Sequence, residues 1–274
     1  MPNDVFTPSD NEMAMIHEEI RKIESENNVK VLFAVESGSR SWGMASENSD
    51  YDVRFVYKRP IYDYLRLDKR KDTIDWHPDT MLDIVGWDVS KYLSLLHRSN
   101  PSALEWLDCP RYVVSDPFKL HAIEELAETC FKARSLAFHY IGMAKENANE
   151  FLRIANGVTR DEPPKTKKYL YVVRALLSAR HVIDNLEMPY LTLDELLDEY
   201  FQDVDNQAIC EAIDDLLERK RDGMETDIHE RIPMLDEWVK SNIAECESMA
   251  RKLECPEPPA WDDVNELFIR IITT

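Results

Sequence analysis

Two aspartates in the run SDYDVRFVY, Asp50 and Asp52, are the first residues that could do chemistry. Side chains alternate across a strand, so a strand through this run places Asp50, Asp52 and then Arg54 on one face, with the apolar residues on the other. Neighbouring carboxylates repel each other unless a cation lies between them, and Mg²⁺ prefers oxygen ligands of this kind. The spacing therefore indicates a divalent metal site, which is typical of phosphoryl or nucleotidyl transfer.

A small polar turn, Ser37-Gly38-Ser39, precedes these acids and follows the apolar run Val31 to Val35. The apolar run suits a buried strand. Small residues let the backbone turn tightly and present its N–H groups outward. We predict that Gly38, the Ser39 hydroxyl and the Arg40 cation form a phosphate cradle beside the metal site.

Gly38-Ser39 followed by Asp50-x-Asp52 resembles the signature of the DNA polymerase beta-like nucleotidyltransferase superfamily. The strings ESGSRSWG, SDYDVRFVY and GWDVSKYLSLLHRSNPSALEWL look like one branch of it, the predicted nucleotidyltransferases named YcgL or RlaP. Some members of that branch are found beside RNA ligases. The resemblance covers roughly residues 30 to 185, most closely 36 to 57 and 83 to 107. The short motif alone is weak, but with its flanking strands and the GWD downstream it is strong. A charged edge strand after an ordinary turn is the alternative interpretation.

The resemblance also implies a third acid. In the superfamily it comes from a neighbouring strand, and Asp83, within the apolar run Thr80 to Val85, matches that position. It would hold metal together with Asp50 and Asp52, and would deprotonate or orient the attacking hydroxyl. A salt bridge to a nearby arginine is the alternative role, since an unpaired acid in an apolar strand is costly. We interpret Asp88 as the N-cap of the next helix.

A second candidate surface lies in a helix predicted from Lys165 to Asn185. Lys167, Tyr171 and Arg174 are spaced by four and by three, which places them on one helical face, and Lys168 lies next to Lys167. Such a cationic face could bind a nucleoside triphosphate. The resembling family carries a KKxxYxxR pattern in its helical half. A surface stripe that pairs with the acidic C-terminal helices is the alternative interpretation.

The order of predicted elements indicates an α+β protein. We expect a nucleotidyltransferase domain with a small mixed sheet and helices over residues 1–115, and an acidic all-helical bundle over residues 116–274. The net charge of −20 is uneven: residues 191–274 carry 23 acids and 8 bases, a net of −15. The C-terminal part should repel nucleic acid, so an RNA would approach the N-terminal domain. Plain solubility is the alternative meaning of this charge.

No apolar run approaches the length of a membrane span, and the N-terminus lacks a signal-peptide pattern. The five cysteines are widely spaced without a CxxC pair, which favours a reducing, cytoplasmic location. The sequence contains no pattern that indicates an oligomeric state. A P-loop and a GxSxG nucleophile motif are also absent from it.

Together these features predict a metal-dependent nucleotidyltransferase that uses Mg²⁺ or Mn²⁺. It would move a nucleoside monophosphate from an NTP, with ATP as the first choice, to an acceptor hydroxyl and release pyrophosphate. The association of the resembling family with RNA repair implies an RNA 3′ end as the favoured acceptor, and a protein or a small molecule stays open. A catalytically idle nucleotide-binding or protein-interaction module of the same fold is the main alternative. A phosphotransferase or phosphohydrolase that uses the same acids is the third.

Overall fold

The protein is described by a computed structural model, which covers residues 8–68, 70–78, 81–152, 166–201, 207–224 and 231–274. The strands are β1 Lys30–Ser37, β2 Tyr51–Lys58, β3 Thr73–Trp76, β4 Leu82–Asp88 and β5 Arg111–Val114. The helices are α1 Asp10–Asn27, α2 Gly38–Ser41, α3 Ile61–Tyr64, α4 Val89–His97, α5 Pro101–Asp108, α6 Pro117–Cys130, α7 Ala133–Asn147, α8 Thr166–Asn185, α9 Leu193–Tyr200, α10 Gln207–Arg221, α11 Pro233–Ala250 and α12 Trp261–Thr273. A π-helical turn, Ala148–Leu152, follows α7.

The chain forms two compact units. The sheet unit consists of Met1–Ser41, Ser49–Phe131 and Glu257–Thr274, and the helical unit consists of Trp42–Asn48 and Lys132–Pro256. These units differ from the ranges 1–115 and 116–274 expected from the sequence, because α6 and α12 pack with the sheet unit and a short segment after α2 packs with the helices. The α+β class with a helical C-terminal part is confirmed.

The sheet unit is built on a mixed five-stranded sheet with the order β3-β4-β2-β1-β5. Strand β2 pairs parallel to β4, and the other neighbouring pairs are antiparallel. Strand β1, which lies between β2 and β5, is buried over Val31 to Glu36, as its apolar run predicts. The parallel pairing matters for the site because it brings the first residues of β2 and β4 to the same end of the sheet.

Helix α1 covers this sheet through one apolar face. It begins at a capping box, in which Ser9 accepts from the backbone of Glu12 while the Glu12 carboxylate accepts from the backbone N–H of Ser9. Ile16, Ile20 and Ile23 recur at helical spacing and are buried against the strands. This packing fixes the sheet from which the candidate site is built.

The helical unit comprises α7 to α11 around its own core, in which α8 makes the most extensive contacts. Met44 belongs to that core and is fully buried, which explains why the segment Trp42–Asn48 packs with this unit. The sequence predicts a helix from Ala133 to Ile154 that ends at Asn156-Gly157 and is followed by a linker. That helix begins at Ala133 and continues into the π-helical turn. Its predicted end at Asn156-Gly157 and the linker after it lie outside the described residues. Among the helices described, none is both long and apolar enough to span a membrane.

Candidate active site

Asp52 and Asp83 are direct neighbours across the sheet. They are paired in the register of the parallel strands β2 and β4, each as the second residue of its strand. Because side chains at paired positions of neighbouring strands point to the same face, the two carboxylates lie on one side of the sheet. Both are accessible, with 29% of the Asp52 side chain and 38% of the Asp83 side chain exposed.

One guanidinium joins the two acids. Nη2 of Arg54 donates to Oδ1 of Asp52 over 2.9 Å and to Oδ2 of Asp83 over 2.8 Å, and Nη1 donates to the Asp83 carbonyl over 2.8 Å. His77 follows β3, and its Nδ1 lies 3.2 Å from Oδ1 of Asp83. The carboxylates are therefore close enough to share a single cation, and in this structure that cation belongs to the protein.

The turn before α2 packs against the Asp52 carboxylate. Gly38 has a φ of +67°, and a Cβ added to it would lie 2.1 Å from Oδ2 of Asp52. Any side chain at this position would clash with the carboxylate and would be strained in the left-handed region. The Ser41 hydroxyl donates to the Gly38 carbonyl over 2.9 Å and closes the short helix, while Ser39 is half-buried within it.

Arg40 is engaged with the backbone that leads into β2. Its Nη2 donates to the Ser49 carbonyl over 2.6 Å, its Nε donates to the Asp50 carbonyl over 3.2 Å, and its guanidinium lies 3.9 Å from the Tyr51 ring centroid. The structure therefore shows Arg40 ordering the approach to the acids. Asp50 itself is exposed and precedes β2, one residue outside the strand.

Glu36 is an additional acid beneath the site. It is fully buried at the end of β1, where Oε1 accepts from the Asp52 backbone N–H over 3.1 Å and Oε2 accepts from the Tyr112 hydroxyl over 2.6 Å. Burial raises the pKa of Glu36 to about 7. This residue ties the position of the Asp52 backbone to the buried side chain of Tyr112.

The environment of Asp52 raises the pKa of its carboxyl above the usual range. Burial is the largest cause that raises the pKa of this carboxyl, and the negative charges of Asp83 and Asp50 raise it further, against the opposing effect of Arg54. A carboxylate that is destabilised by like charges is stabilised when it binds a cation. The local field is therefore the one expected at a cation-binding site.

The donor chemistry fits a divalent cation, since the site offers hard carboxylate oxygens that already share one positive charge. The geometry shows a pair of acids: within the described ranges, no group of three or more His, Cys, Asp or Glu side chains is arranged to hold a metal ion. The participation of Asp50 alongside Asp52 and Asp83 is therefore a proposal, as is metal binding by the three.

The four predicted residues of α8 lie in the helical unit. Arg174 is 3% exposed, donates to the Leu191 carbonyl from Nε and Nη2, and lies 4.2 Å from the Trp42 ring centroid. Tyr171 meets the edge of Trp42 with ring centroids 6.1 Å apart. Lys167 and Lys168 are half-buried, and the ammonium of Lys168 lies 5.6 Å from the Tyr171 ring. Tyr171 and Arg174 thus share one helical face, and a nucleotide-binding role for this face stays a prediction.

Sequence reasoning placed Arg54 on the face of the acids without giving it a role there, and it assigned none to Glu36 or His77. A signal for Arg54 existed, because a cation two residues after Asp52 on a strand must share its face. Glu36 could have been noticed as an acid at the end of an apolar strand, directly before the turn. The position of His77 follows only from the β3–β4 register, in which Trp76 pairs with Ile84.

Comparison with known proteins gives a consistent result over most of the chain. The model of the family described as RlaP, RNA repair pathway DNA polymerase beta family, matches residues 13–270. The uncharacterized protein YcgL of Bacillus subtilis (strain 168) is 32% identical over 257 residues, which cover 94% of this chain and 95% of the relative. A crystal structure of a nucleotidyltransferase-like protein from Exiguobacterium sibiricum 255-15 has 12% identity and a TM-score of 0.28, covering 94% of this chain and 80% of that one. That TM-score is too low to support a conclusion about fold or function.

Proposed function

The chain belongs to the RNA repair pathway DNA polymerase beta family, and from this membership we propose that it transfers a nucleoside monophosphate from an NTP to an acceptor hydroxyl. ATP is the first choice of donor. The RNA 3′ end is the favoured acceptor because the family description refers to RNA repair. The observation that carries the proposal is the pairing of Asp52 with Asp83 on parallel strands, with the Gly38 turn packed on the Asp52 carboxylate.

In the proposed reaction, the acceptor hydroxyl oxygen attacks the α-phosphorus. The bond from this phosphorus to the oxygen that bridges the α- and β-phosphates breaks. Pyrophosphate leaves with the electron pair of that bond. The carboxylate of Asp83 orients the hydroxyl or takes its proton, since 38% of this side chain is exposed to an incoming substrate. The backbone amides of the Gly38 turn, the Ser39 hydroxyl and the Arg40 guanidinium are proposed to bind the phosphates.

We assign Mg²⁺ or Mn²⁺ to Asp50, Asp52 and Asp83, and such an ion would neutralise charge that develops on the attacking and leaving oxygens. Such an ion would compete with the Arg54 guanidinium, which is bonded to one oxygen of Asp52 and one oxygen of Asp83. Lys167, Lys168, Tyr171 and Arg174 are proposed to contribute to binding of the nucleoside triphosphate, since α8 concentrates cationic and aromatic groups on one face.

The direct test is incubation of the purified chain with each α-labelled NTP, Mg²⁺ or Mn²⁺, and either total RNA or total protein. We expect label in the RNA band together with release of pyrophosphate. Asp52→Asn should abolish both, while Asp75→Asn, the same change at an exposed position of the edge strand β3, should leave both unchanged. Full activity of Asp52→Asn would refute the assignment of the acids.

A second candidate function is a catalytically idle module that binds nucleotides or a protein partner. The bridging of Asp52 and Asp83 by Arg54 favours it, because an internal cation already satisfies the two carboxylates. Calorimetry with Mg-ATP, combined with a pyrophosphate assay, separates the two functions. Nucleotide binding without pyrophosphate release across RNA, protein and small-molecule acceptors would favour the idle module.

A further inference from the structure

A cavity of about 380 Å³ opens at the other end of strands β2 and β4 from the paired acids. Arg59, which directly follows β2, and Asp88, which ends β4, both line it. At about 3.3 Å per residue along a strand, this places the cavity about 20 Å from Asp52. Four basic side chains contribute to its wall, from Arg59, Arg66, Arg70 and Lys71.

Arg59 is the most buried of these cations, and its hydrogen bonds and ion pair are long. Only 10% of its side chain is exposed. Its Nη2 donates to the Tyr57 hydroxyl and to the Lys71 carbonyl, both over 3.3 Å, and its Nε lies 3.8 Å from Oδ2 of Asp88. These contacts are at the long limit for hydrogen bonds and ion pairs. A buried guanidinium with five donors gains free energy from an anion that approaches it more closely.

The acids that line the cavity are largely occupied. Asp88 caps α4, where its Oδ1 accepts from the backbone and the hydroxyl of Ser90, and its Oδ2 accepts from Tyr64. Asp63 lies 3.2 Å from Nε of Arg70, and Asp72 is paired with Lys91. The wall therefore carries four basic side chains against three acids, and one of the four, Arg66, is paired with the exposed Asp68, which is not part of the lining.

The segment that carries these cations is basic in a strongly acidic chain. Residues 58–72 contain six lysines and arginines against three aspartates, although the whole chain carries a net charge of −20. The cavity also has an aromatic component. Phe268 meets the ring of Tyr64 edge-on, with centroids 5.3 Å apart, and both residues line the wall. Cations beside an aromatic surface suit a ligand that combines a phosphate with a planar ring.

We propose that this cavity is a second binding site, distinct from the paired acids, for a nucleoside monophosphate. Arg59 and Lys71 bind the phosphate together with Arg66, and the base lies against Phe268 and Tyr64. The volume of about 380 Å³ is that of a small-molecule site, which favours a small ligand over a nucleic-acid strand that would follow an extended groove. Binding here needs no divalent cation, because the wall itself supplies the positive charge.

The test is calorimetric titration of the full chain with AMP in the presence of EDTA, with inorganic phosphate and adenosine as the partial ligands. We expect AMP to bind more tightly than either part. The double variant Arg66→Ala/Lys71→Ala should weaken AMP binding at least tenfold, and it should fold normally because Lys71 is exposed and 47% of the Arg66 side chain is exposed. Arg219→Ala on α10, which lines no part of this cavity, is the matched control.

Asp52→Asn separates this site from the proposed active site, and it should leave AMP binding in EDTA unchanged. Equal AMP affinity in the wild type and the double variant would overturn the proposal. Loss of AMP binding in Asp52→Asn would also overturn it, since the ligand would then lie at the acids. The proposal would also be overturned if a short oligoribonucleotide bound through Arg66 and Lys71 and AMP did not.

Discussion

The backbone of Gly38 packs directly against the carboxylate of Asp52. The position of a Cβ on Gly38 would be 2.1 Å from Oδ2 and 2.8 Å from Cγ of Asp52. The Asp52 side chain is also held in place by Arg54, which donates to it and to Asp83. The glycine of the turn and the second aspartate therefore act as one structural unit.

We predict that Gly38→Ala lowers nucleotide transfer at least a hundredfold, because the new methyl group must displace the Asp52 carboxylate. The left-handed φ of +67° adds a loss of about 1–3 kcal/mol in the free energy of unfolding. Transfer assays and urea denaturation measure the two effects. Gly142→Ala in α7 is the control: nothing lies within 4 Å of the added Cβ, and the variant should be as stable as the wild type or more stable by up to about 1 kcal/mol. Unchanged transfer in Gly38→Ala would contradict the proposed contact.

Arg54→Gln tests whether the guanidinium competes with a divalent cation for Asp52 and Asp83. A partly exposed ion pair is worth about 1 kcal/mol, so its removal should tighten Mn²⁺ binding about fivefold. Calorimetric titration with Mn²⁺ gives the two dissociation constants. Arg21→Gln, at an exposed position of α1, should bind Mn²⁺ as the wild type does. Weaker Mn²⁺ binding in Arg54→Gln would show that Arg54 organises the acids instead of competing for them.

Glu36 should make the stability of the fold depend on pH. Its pKa rises from 4.5 to about 7 on folding because it is buried, so the native state holds a proton that the unfolded chain releases. The associated stability is fully present below pH 4.5 and is lost as the pH rises through about 7, by up to about 3 kcal/mol.

The measurement is urea denaturation of the wild type and Glu36→Gln between pH 4.5 and pH 8. The difference between the two proteins in the free energy of unfolding should change across this range, because the variant lacks the titrating group. Other ionisable groups cancel in that difference. A constant difference across the range would mean that Glu36 has the same pKa in the folded and unfolded chains.

Helix α8 carries two cations, Lys168 and Arg174, whose removal should affect different quantities. Lys168 is half-buried, so Lys168→Ala should raise the KM for the NTP about tenfold with little change in stability. Arg174 is 3% exposed and bonded to the Leu191 carbonyl, so Arg174→Ala should lower the free energy of unfolding by about 2–4 kcal/mol. Steady-state kinetics and thermal denaturation separate the two effects. An unchanged KM in Lys168→Ala would restrict α8 to a structural role.

The local pattern of the sequence predicted most of the elements around the site. The apolar run of β1 and the Asp88 N-cap each act through neighbours within a few residues. For the same reason, alternation along β2 was enough to place Asp52 and Arg54 on one face, which their hydrogen bond confirms. Only the resemblance to a known family pointed to Asp83, because thirty residues of chain separate it from Asp52.

The tertiary structure decided what the strands and turns bring together. Parallel pairing of β2 with β4 sets Asp83 directly beside Asp52, and a sequence cannot fix that register, because one residue of slip would turn the side chain to the other face. Packing also placed α12 in the sheet unit and Met44 in the helical core. Burial of apolar surface can join residues that are far apart in the sequence, so local patterns do not predict it. The sequence by itself therefore determined the elements and the chemical groups, whereas the fold alone determined that two acids share the cation of Arg54.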